Sequence, residues 1–206
     1  MIDSSLYLFE NELYEQGVTY IAGVDEAGRG PLAGPVVAAA VILKKGVVFK
    51  YVDDSKKLNE NQRLLALEEI KNNALAIGIG ISSVEEIDQI NIYRASREAM
   101  LSAIHQLKIK PEFLLIDAMP MEIDIPMRSI IKGDAQSVSI AAASIVAKTT
   151  RDAYMVEMDK LFPEYNFKQH KGYGTKEHLE AIYKYGVTPI HRRTYEPIKS
   201  ILRSKP

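Results

Sequence analysis

One stretch of the sequence, Val36–Leu43 with the letters VVAAAVIL, is apolar at all eight positions. A strand that faces water on one side alternates apolar and polar residues, so an unbroken run of this length predicts a strand covered on both faces. It is also the longest apolar run, and it is far shorter than the roughly 20 residues that a helix needs to cross a bilayer. We therefore expect a layered α/β protein with a buried sheet and no membrane association.

The segments around this run indicate four further strands and several helices. The strands are expected at Val18–Val24, Leu75–Ile81, Phe113–Ile116 and Ile125–Ile131. Helices are expected at residues 5–16, 59–72, 92–107 and 138–161, with capping-box starts at Asn59 and Ser83. Three early strands interrupted by one long helix, followed by two strands set among helices, predict a mixed five-stranded sheet with three antiparallel and two parallel strands.

No repeat, low-complexity tract or long flexible linker divides the chain. We expect residues 1–160 to form the main α/β unit and residues 161–206 to form a basic helical region packed on it.

The start of the sequence shows no basic region followed by an apolar stretch, so we expect no secretory signal. The absence of cysteine excludes disulfides and thiolate metal sites and suits a reducing compartment. We expect a cytoplasmic protein that acts as a monomer.

Charge is distributed unevenly along the chain. Residues 160–206 carry ten Lys and Arg against four Glu, a net charge of +6, whereas the whole chain carries −1 and the remainder therefore −7. This basic region also holds five of the eleven tyrosines. Such a region is typical of a surface that grips a nucleic-acid backbone, although a solvated helical face would show the same charges.

Four acidic residues occur where predicted strands end. Asp25 and Glu26 follow the first strand, Asp117 follows the fourth and Asp134 follows the fifth. The carboxyl ends of strands in an open α/β sheet line a common crevice, so these acids can converge there. Neighbours within a strand point to opposite faces, so Asp25 and Glu26 can serve one site only if the first strand ends there. Alternatively, one of the two could bind a ligand through its backbone carbonyl. Each acid alone could equally be a turn or capping residue.

Carboxylates grouped without cysteine or a histidine pair at zinc spacing are typical of sites for Mg²⁺ or Mn²⁺. A cation is needed because two carboxylates about 4 Å apart repel by roughly 4 kcal/mol at an effective dielectric constant near 20. Two such ions can activate water and stabilise the leaving oxygen of a phosphodiester. The sequence therefore indicates metal-dependent hydrolysis of a phosphodiester.

The segment Gly28-Arg29-Gly30-Pro31 follows the first acidic pair directly. Its glycines allow the backbone to approach a sugar closely, and the Arg29 guanidinium can donate two hydrogen bonds to a phosphate. The alternative is that the segment is simply a tight loop. The spacing does not fit a dinucleotide fingerprint. Ser144 lies among alanines and is expected to pack rather than act as a nucleophile. His105 and His178 fall in helical patterns, whereas His170 and His191 fall in basic loops where they could contact phosphate.

Taken together, these residues resemble the ribonuclease HII family. The matching motifs cover nearly the whole chain in the order of the family. They are Gly23–Pro31, Asp54–Leu58, Ile116–Ala118, Lys132–Asp134, Ala141–Lys148, Arg151-Asp152 and His170–Thr175. The resemblance implies an RNase H-like fold for residues 1–160 and divalent-metal-dependent cleavage of the RNA strand of RNA–DNA hybrids. It also implies cutting on the 5′ side of a ribonucleotide embedded in duplex DNA, which leaves 3′-hydroxyl and 5′-phosphate ends.

The resemblance also implies roles for individual residues. It places Asp25, Glu26, Asp117 and Asp134 at the catalytic, metal-binding positions, with two ions present once substrate is bound. It implies that the backbone of Gly28, Arg29 and Gly30 reads the ribose 2′-hydroxyl, the group that distinguishes RNA from DNA. Tyr173 matches the tyrosine that packs on the sugar at the junction. Further candidates for contact with substrate phosphates are Lys56, Lys57, His170 and Lys171.

Two other classes of function stay open from the sequence. A nucleic-acid-binding module without catalytic activity would be expected to lack at least one of the four acids, and all four are present. A dimerisation or scaffold domain would have no reason to combine an acidic cluster with a glycine–arginine loop and a basic C-terminal region. We therefore favour the nuclease, acting on RNA–DNA hybrids and on DNA duplexes that contain ribonucleotides.

Overall fold

The computed structural model describes residues 4–204 and shows a mixed sheet between two layers of helices. The strands are β1 Ile21–Ala27, β2 Val36–Leu43, β3 Ala74–Ser82, β4 Phe113–Asp117 and β5 Met127–Ile130. The helices are α1 Leu8–Glu15, α2 Glu60–Asn73, α3 Val84–Ile90, α4 Ile92–His105, α5 Val138–Leu161, α6 Phe167–His170, α7 Lys176–Tyr185 and α8 Ile198–Ser204. The spatial order is β3-β2-β1-β4-β5. Strands β1, β2 and β3 pair antiparallel, and β4 and β5 run parallel to β1, which confirms the predicted sheet.

Strand β2 is buried on both faces, as its unbroken apolar run predicts. The side chains of Ala38 and Ala40 belong to the core beneath α4, whereas those of Ala39 and Val41 belong to the core beneath α2 and α5. All eight residues of the strand are buried. Since each face of the strand needs its own apolar cover, β2 accounts for the helix layers on both sides of the sheet.

Close contact between helices and sheet depends on glycines within the strands. A Cβ atom added to Gly80 in β3 would lie 2.0 Å from the carbonyl oxygen of Ala99 in α4. A Cβ atom added to Gly23 in β1 would lie 2.0 Å from the carbonyl carbon of Ser139 in α5. Both helices therefore rest directly on strand backbone, where a side chain would have to displace the helix.

The first strand differs from the prediction. It begins at Ile21 rather than Val18 and continues to Ala27, so Asp25 and Glu26 lie within the strand rather than after it. The reason is the neighbouring strand, since the antiparallel ladder with β2 continues through both acids, which pair with Ala39 and Ala38. Strand β5 is shorter than predicted and spans Met127–Ile130. Helix α5 has the predicted bounds, and Asn59 and Ser83 form the predicted capping boxes.

The C-terminal elements pack on one end of α5 and on the loop after β1. Phe167 of α6, Ile182 of α7 and Ile198 of α8 share an apolar cluster with Met155 of α5 and with Leu32. This cluster attaches residues from about 161 onward to the rest of the chain. Between residues 4 and 204, no helix combines the length and the apolar character required to cross a bilayer.

Candidate active site

A cavity of about 440 Å³ opens beside the carboxyl ends of β1 and β4. We call it the acidic groove. It is lined by Asp25, Glu26, Ala27, Gly28, Arg29, Gly30, Ser55, Lys56, Arg63, Asp117, Ser144, Lys148, Arg151 and Tyr173. The groove therefore brings together residues that lie almost 150 positions apart in the sequence, including three of the four predicted acids and the predicted glycine loop.

The sheet topology explains how the acids meet. Strands β1, β4 and β5 are parallel, so their carboxyl ends lie at the same edge of the sheet. Asp117 is the last residue of β4, and Asp134 lies in the 3₁₀ turn that follows β5. The backbone N–H of Gly133 donates to Asp117 Oδ1 at 2.7 Å, and Lys56 Nζ donates to Asp134 Oδ2 at 2.7 Å. These contacts connect Asp134 to the groove, although Asp134 is buried and does not line the cavity itself.

Burial and mutual repulsion disfavour the ionised forms of the carboxyl groups in the groove. Burial raises the pKa of Asp25 well above its usual range, and the carboxylates of Glu26 and Asp117 raise it further. Burial also raises the pKa of Glu26, against the lowering effect of Arg29. The pKa of Asp117 is raised by burial and by Asp134, whereas the hydrogen bond from Gly133 lowers it. A cation placed among these groups would favour their ionised forms.

The donor chemistry of the groove fits a hard divalent cation. All the candidate donors are carboxylate oxygens, and Glu26 Oε2 is buried without a hydrogen-bond partner among the described residues. Within residues 4–204, however, no three His, Asp or Glu side chains form a ready-made set of metal ligands. Instead, the ammonium group of Lys56 already contacts Asp134. The acids thus converge as predicted, without adopting a ligand arrangement.

Two buried arginines bind the carbonyl groups of the glycine loop and of the residues that follow it, up to Pro35. Arg192, which is fully buried, donates from Nη1 to Arg29 O at 2.8 Å and from Nε to Gly34 O at 3.0 Å, and Nη2 also donates to Gly28 O. Sequence reasoning misses this role, because Arg192 stands in a basic segment whose charges indicate an exposed surface. Nothing in the sequence separates a buried arginine from its exposed neighbour Arg193.

Arg151 of α5 is the second arginine. It donates from Nε to Pro35 O at 3.0 Å, from Nη2 to Ala33 O at 2.9 Å and from Nη1 to Lys171 O at 3.0 Å. A Cβ atom at Gly28, which has a φ of +100°, would lie 2.1 Å from Arg151 Nε. Arg151 therefore joins the glycine loop to the segment that carries Tyr173 and requires glycine at position 28.

Helix α5 also contributes polar groups that sequence reasoning does not assign to the site. Ser144 is buried, as expected, but its hydroxyl donates to the Asp25 carboxylate and lies 2.9 Å from the Ser55 hydroxyl. Lys148 and Arg151 follow on the same face of the helix and also line the groove. Their spacing of four and then three residues after Ser144 is the helical signal that could have revealed them.

Tyr173 is half-exposed and faces the glycine loop. Its Cε1 atom lies 3.7 Å from the position that a Cβ atom of Gly30 would occupy. Gly30 and Tyr173 thus form one wall of the acidic groove, and no other aromatic ring occurs among the groove-lining residues that the structure describes. An apolar ring beside exposed backbone can pack on a sugar that enters the groove.

The remaining predicted contacts do not line the groove. Lys57 is exposed and pairs with Asp53 at 3.3 Å, and Lys171 Nζ donates to the carbonyl of Lys168. His170, another predicted phosphate contact, does not line the groove either. Its ring is buried, Nδ1 accepts from the N–H of Gly172 and Nε2 bonds to the carbonyl of Tyr165. Both ring nitrogens are therefore used within the fold.

His191, which the sequence also places where it could contact phosphate, is a similar case. It lies in a loop as expected, but its ring is fully buried and bonds to Thr188 and to His178. His178 lies in α7 and is buried as well. A loop histidine beside arginines reads as exposed in a sequence, whereas here the aromatic cluster around Phe167 covers it.

Comparison with known proteins gives consistent matches. A family model described as Ribonuclease HII matches residues 22–197. The ribonuclease HII of Bacillus cytotoxicus is 56% identical over 197 residues, which cover 96% of this chain and 76% of that protein. The ribonuclease HII of Geobacillus sp. is 53% identical over 96% of this chain and 71% of that protein. The crystal structure of the ribonuclease H2 from Pyrococcus horikoshii superposes with a TM-score of 0.77, at 26% identity, over 89% of this chain and 97% of that one.

Proposed function

The chain belongs to the ribonuclease HII family and is therefore a ribonuclease H, and from this premise we propose that the acidic groove is its active site. The observation that carries the proposal is the position of Gly30 and Tyr173 in the same groove as Asp25, Glu26 and Asp117. Acids that can hold cations stand beside backbone and an aromatic ring that can contact a sugar. This arrangement suits hydrolysis of a phosphodiester next to a ribose.

We propose that the enzyme cleaves the RNA strand of RNA–DNA hybrids and also cuts duplex DNA on the 5′ side of an embedded ribonucleotide. The products would carry 3′-hydroxyl and 5′-phosphate ends. The backbone of Gly28, Arg29 and Gly30 would contact the ribose 2′-hydroxyl, which only a ribonucleotide carries. Since the buried Arg192 binds the carbonyl groups of Gly28 and Arg29, the position of this loop is set before substrate arrives. Tyr173 would pack on the neighbouring sugar.

We propose that Asp25, Glu26, Asp117 and Asp134 hold Mg²⁺ or Mn²⁺, two ions once substrate is bound. Ions held in this way stabilise charge on the attacking and leaving oxygens of a phosphodiester. A cation bound by Asp134 would take the place of the Lys56 ammonium group at this carboxylate, so Lys56 would move to a substrate phosphate. Lys57 and Lys171, which are outside the groove, would contact the flanking backbone if the duplex extends over them. His170 is buried and uses both ring nitrogens within the fold, so it is not among these contacts.

These activities suit removal of ribonucleotides from DNA and processing of RNA primers. We propose that the enzyme does so as a cytoplasmic monomer, with residues 1–160 as the catalytic unit and residues 161–206 as a basic region that supports substrate binding. Gel filtration with light scattering would test the oligomeric state directly.

The decisive experiment uses a labelled DNA duplex with one ribonucleotide and a matched all-DNA duplex as the control. We expect one cut on the 5′ side of the ribonucleotide in Mg²⁺ or Mn²⁺, no cut of the control, and no cut in a chelator. The chemistry of the ends is read from ligation and kinase labelling of the products. Binding of the duplex without cleavage in either ion would instead indicate a nucleic-acid-binding module, and a cut on the 3′ side would contradict the proposed position.

A further inference from the structure

Three buried histidines lie directly beneath the segment that carries Tyr173. The rings of His170 and His178 stack with their centroids 4.5 Å apart, and Nε2 of His178 lies 3.0 Å from Nε2 of His191. None of the three lines the acidic groove. They therefore have no direct access to substrate in the groove, and their hydrogen bonds run within the protein.

The direction of the hydrogen bonds from Thr188 through His191 and His178 to Tyr173 follows from the backbone groups at the two ends, whose roles are fixed. The backbone N–H of Thr188 donates to Nδ1 of His191 at 2.9 Å, so Nδ1 is an acceptor and carries no proton. A neutral imidazole has one N–H, which must then be Nε2–H of His191. This group donates to Nε2 of His178. His178 is left with its proton on Nδ1, which donates to the carbonyl oxygen of Tyr173 at 2.8 Å.

A second histidine binds the same segment from the other side, and its direction is also fixed. The backbone N–H of Gly172 donates to Nδ1 of His170 at 3.1 Å, so the proton of this ring is on Nε2. That proton goes to the carbonyl oxygen of Tyr165 at 2.7 Å. The Lys171–Gly172 peptide and the Tyr173–Gly174 peptide are thus held by imidazoles of opposite tautomer, His170 as acceptor and His178 as donor.

The surroundings keep His178 and His191 in the neutral form that this arrangement requires. Burial lowers the pKa of His178 to about 4 and that of His191 to about 3. Both rings are fully buried beside Phe167. Each neutral ring has one N–H donor and one nitrogen acceptor. The hydrogen bond from Thr188 to His191 therefore fixes the direction of the bond from His191 to His178 and of the bond from His178 to Tyr173.

We propose that His178, oriented by His191 and Thr188, is a positioning residue that holds the backbone of Tyr173 so that its ring stays over Gly30. This inference rests on the proposed role of Tyr173 at the ribonucleotide junction. We call the hydrogen-bonded chain of Thr188, His191 and His178 the histidine relay. It affects selectivity between substrates, since it holds the ring that packs on the junction sugar and contacts none of the four acids. Loss of the relay should therefore affect a single embedded ribonucleotide more than a continuous hybrid.

The first test needs no variant. ¹⁵N spectra of the histidine rings in the wild-type protein should show Nε2–H for His191 and His170 and Nδ1–H for His178. The exposed His105 of α4 serves as an internal reference, because its ring should show the mixture of tautomers that is ordinary in water. The opposite tautomer at His178, or a protonated ring at neutral pH, would overturn the relay whatever the enzyme does to nucleic acid.

The second test compares His178→Phe, which keeps a ring in the aromatic cluster and removes both nitrogens, with the control His105→Phe. We expect faster hydrogen exchange in His178→Phe at the backbone amides of Tyr173 and Thr175, which donate to the carbonyl oxygens of His170 and Tyr173. We also expect kcat/KM on the single-ribonucleotide duplex to fall about five- to tenfold more than on a continuous RNA–DNA hybrid, as loss of one buried hydrogen bond would cause. The control should change neither measurement.

Two outcomes separate the relay from the proposed function. Equal losses on both substrates, or unchanged amide exchange, would contradict a positioning role for His178. If Tyr173→Ala leaves the ratio of the two kcat/KM values unchanged, the proposed role of Tyr173 is wrong. The tautomers and the exchange rates would still decide whether the relay holds the segment.

Discussion

At the scale of single residues, Gly30 is informative because packing does not require it to be glycine. An added Cβ atom would meet only the ring of Tyr173, at the ordinary contact distance of 3.7 Å, and the φ of Gly30 is not in the left-handed region. Gly28, by contrast, has a φ of +100° and no space for a side chain. Packing thus leaves room for a side chain at position 30, and the proposed contact with a ribose is what would require glycine there.

Gly30→Ala should consequently fold normally and cleave poorly. The methyl group would stand between the loop backbone and a ribose, so we expect kcat/KM on the single-ribonucleotide duplex to fall by about 10- to 100-fold. The melting temperature, followed by circular dichroism, should stay close to that of the wild type. Unchanged cleavage would show that the 2′-hydroxyl is read elsewhere.

Asp117→Asn separates the charge of this residue from its structural contact. The amide oxygen of asparagine can still accept the hydrogen bond from Gly133 N–H, so the turn that carries Asp134 should be retained. We expect cleavage to fall more than about 100-fold, because even residues behind metal ligands typically cost 10- to 100-fold. In chelator the variant should melt higher than the wild type, since one of the repelling carboxylates is gone.

The metal itself supplies a measurement independent of cleavage. Millimolar Mg²⁺ or Mn²⁺ should raise the melting temperature of the wild type, because ions that bind the folded state stabilise it. The increase should be smaller in Asp117→Asn. An equal increase in both proteins would remove Asp117 from the set of proposed ligands.

At the scale of elements, the contact between α4 and β3 depends on two glycines, Gly78 and Gly80. Gly80→Ala would place a methyl group against the backbone of Ala99, which cannot move without shifting the helix. We expect the free energy of unfolding in urea to fall by about 1–3 kcal/mol, the usual cost of overpacking. The neighbouring Ile81 is 54% exposed, so Ile81→Ala is the control and should cost much less. Similar losses in both variants would contradict the proposed backbone contact.

The histidines that join α6 and α7 to the following loop predict a pH dependence of stability. The pKa values of His178 and His191 are lowered to about 4 and about 3 in the folded chain, from 6.5 without burial. Below pH 6.5 the unfolded chain takes up protons that the folded chain does not, so stability present above this pH is lost as the pH falls. The free energy of unfolding falls by about 1.4 kcal/mol per pH unit for each ring that stays neutral in the folded chain.

Urea unfolding at pH 7.5 and pH 5.5 checks this pH dependence. The difference in unfolding free energy between the two pH values should be smaller in His178→Phe than in the wild type, because one of the two rings no longer titrates. His105→Phe should retain the wild-type difference, since His105 is exposed. The same difference in all three proteins would assign the acid sensitivity to other groups.

At the scale of the whole molecule, charge is separated between the C-terminal region and the rest of the chain. The net charge of residues 160–206 is +6, but Arg192 is buried beneath the glycine loop and cannot reach a ligand. Lys168 and Lys176 are exposed and have only long contacts with Asp159 and Glu180, at 3.6 and 3.7 Å. Exposed pairs of this kind are weak, so both lysines can bind phosphate.

Replacing Lys168, Lys171 and Lys176 together by glutamine should weaken duplex binding for all sequences. The slope of log affinity against log salt concentration should become less steep by about one for each phosphate that the variant no longer neutralises. Lys108→Gln with Lys110→Gln is the control, because these exposed lysines precede β4 and lie at the end of the sheet opposite the acidic groove. An unchanged slope in the triple variant would show that the basic region is a solvated face.

The sequence alone determined the architecture, because the relevant signals are local. The unbroken apolar run of β2 required cover on both faces of the sheet, the bounds of α5 followed from its pattern, and Asn59 and Ser83 marked two helix starts. The convergence of the acids could also be predicted, since parallel strands bring their carboxyl ends to one edge. The helices and strands depend on periodicity and on neighbours a few residues apart, and the convergence of the acids follows once the strands pair in parallel.

Only the tertiary structure decided which polar residues are buried and which groups they contact. Arg192, Arg193 and His191 stand side by side in one basic segment, yet Arg192 binds carbonyl groups about 160 residues away and His191 lies in an aromatic cluster. Strand β1 likewise extends through Asp25 and Glu26 because β2 lies beside it. Burial of a charged or polar side chain depends on partners from distant segments, and no local pattern of the sequence records which partners the fold will bring.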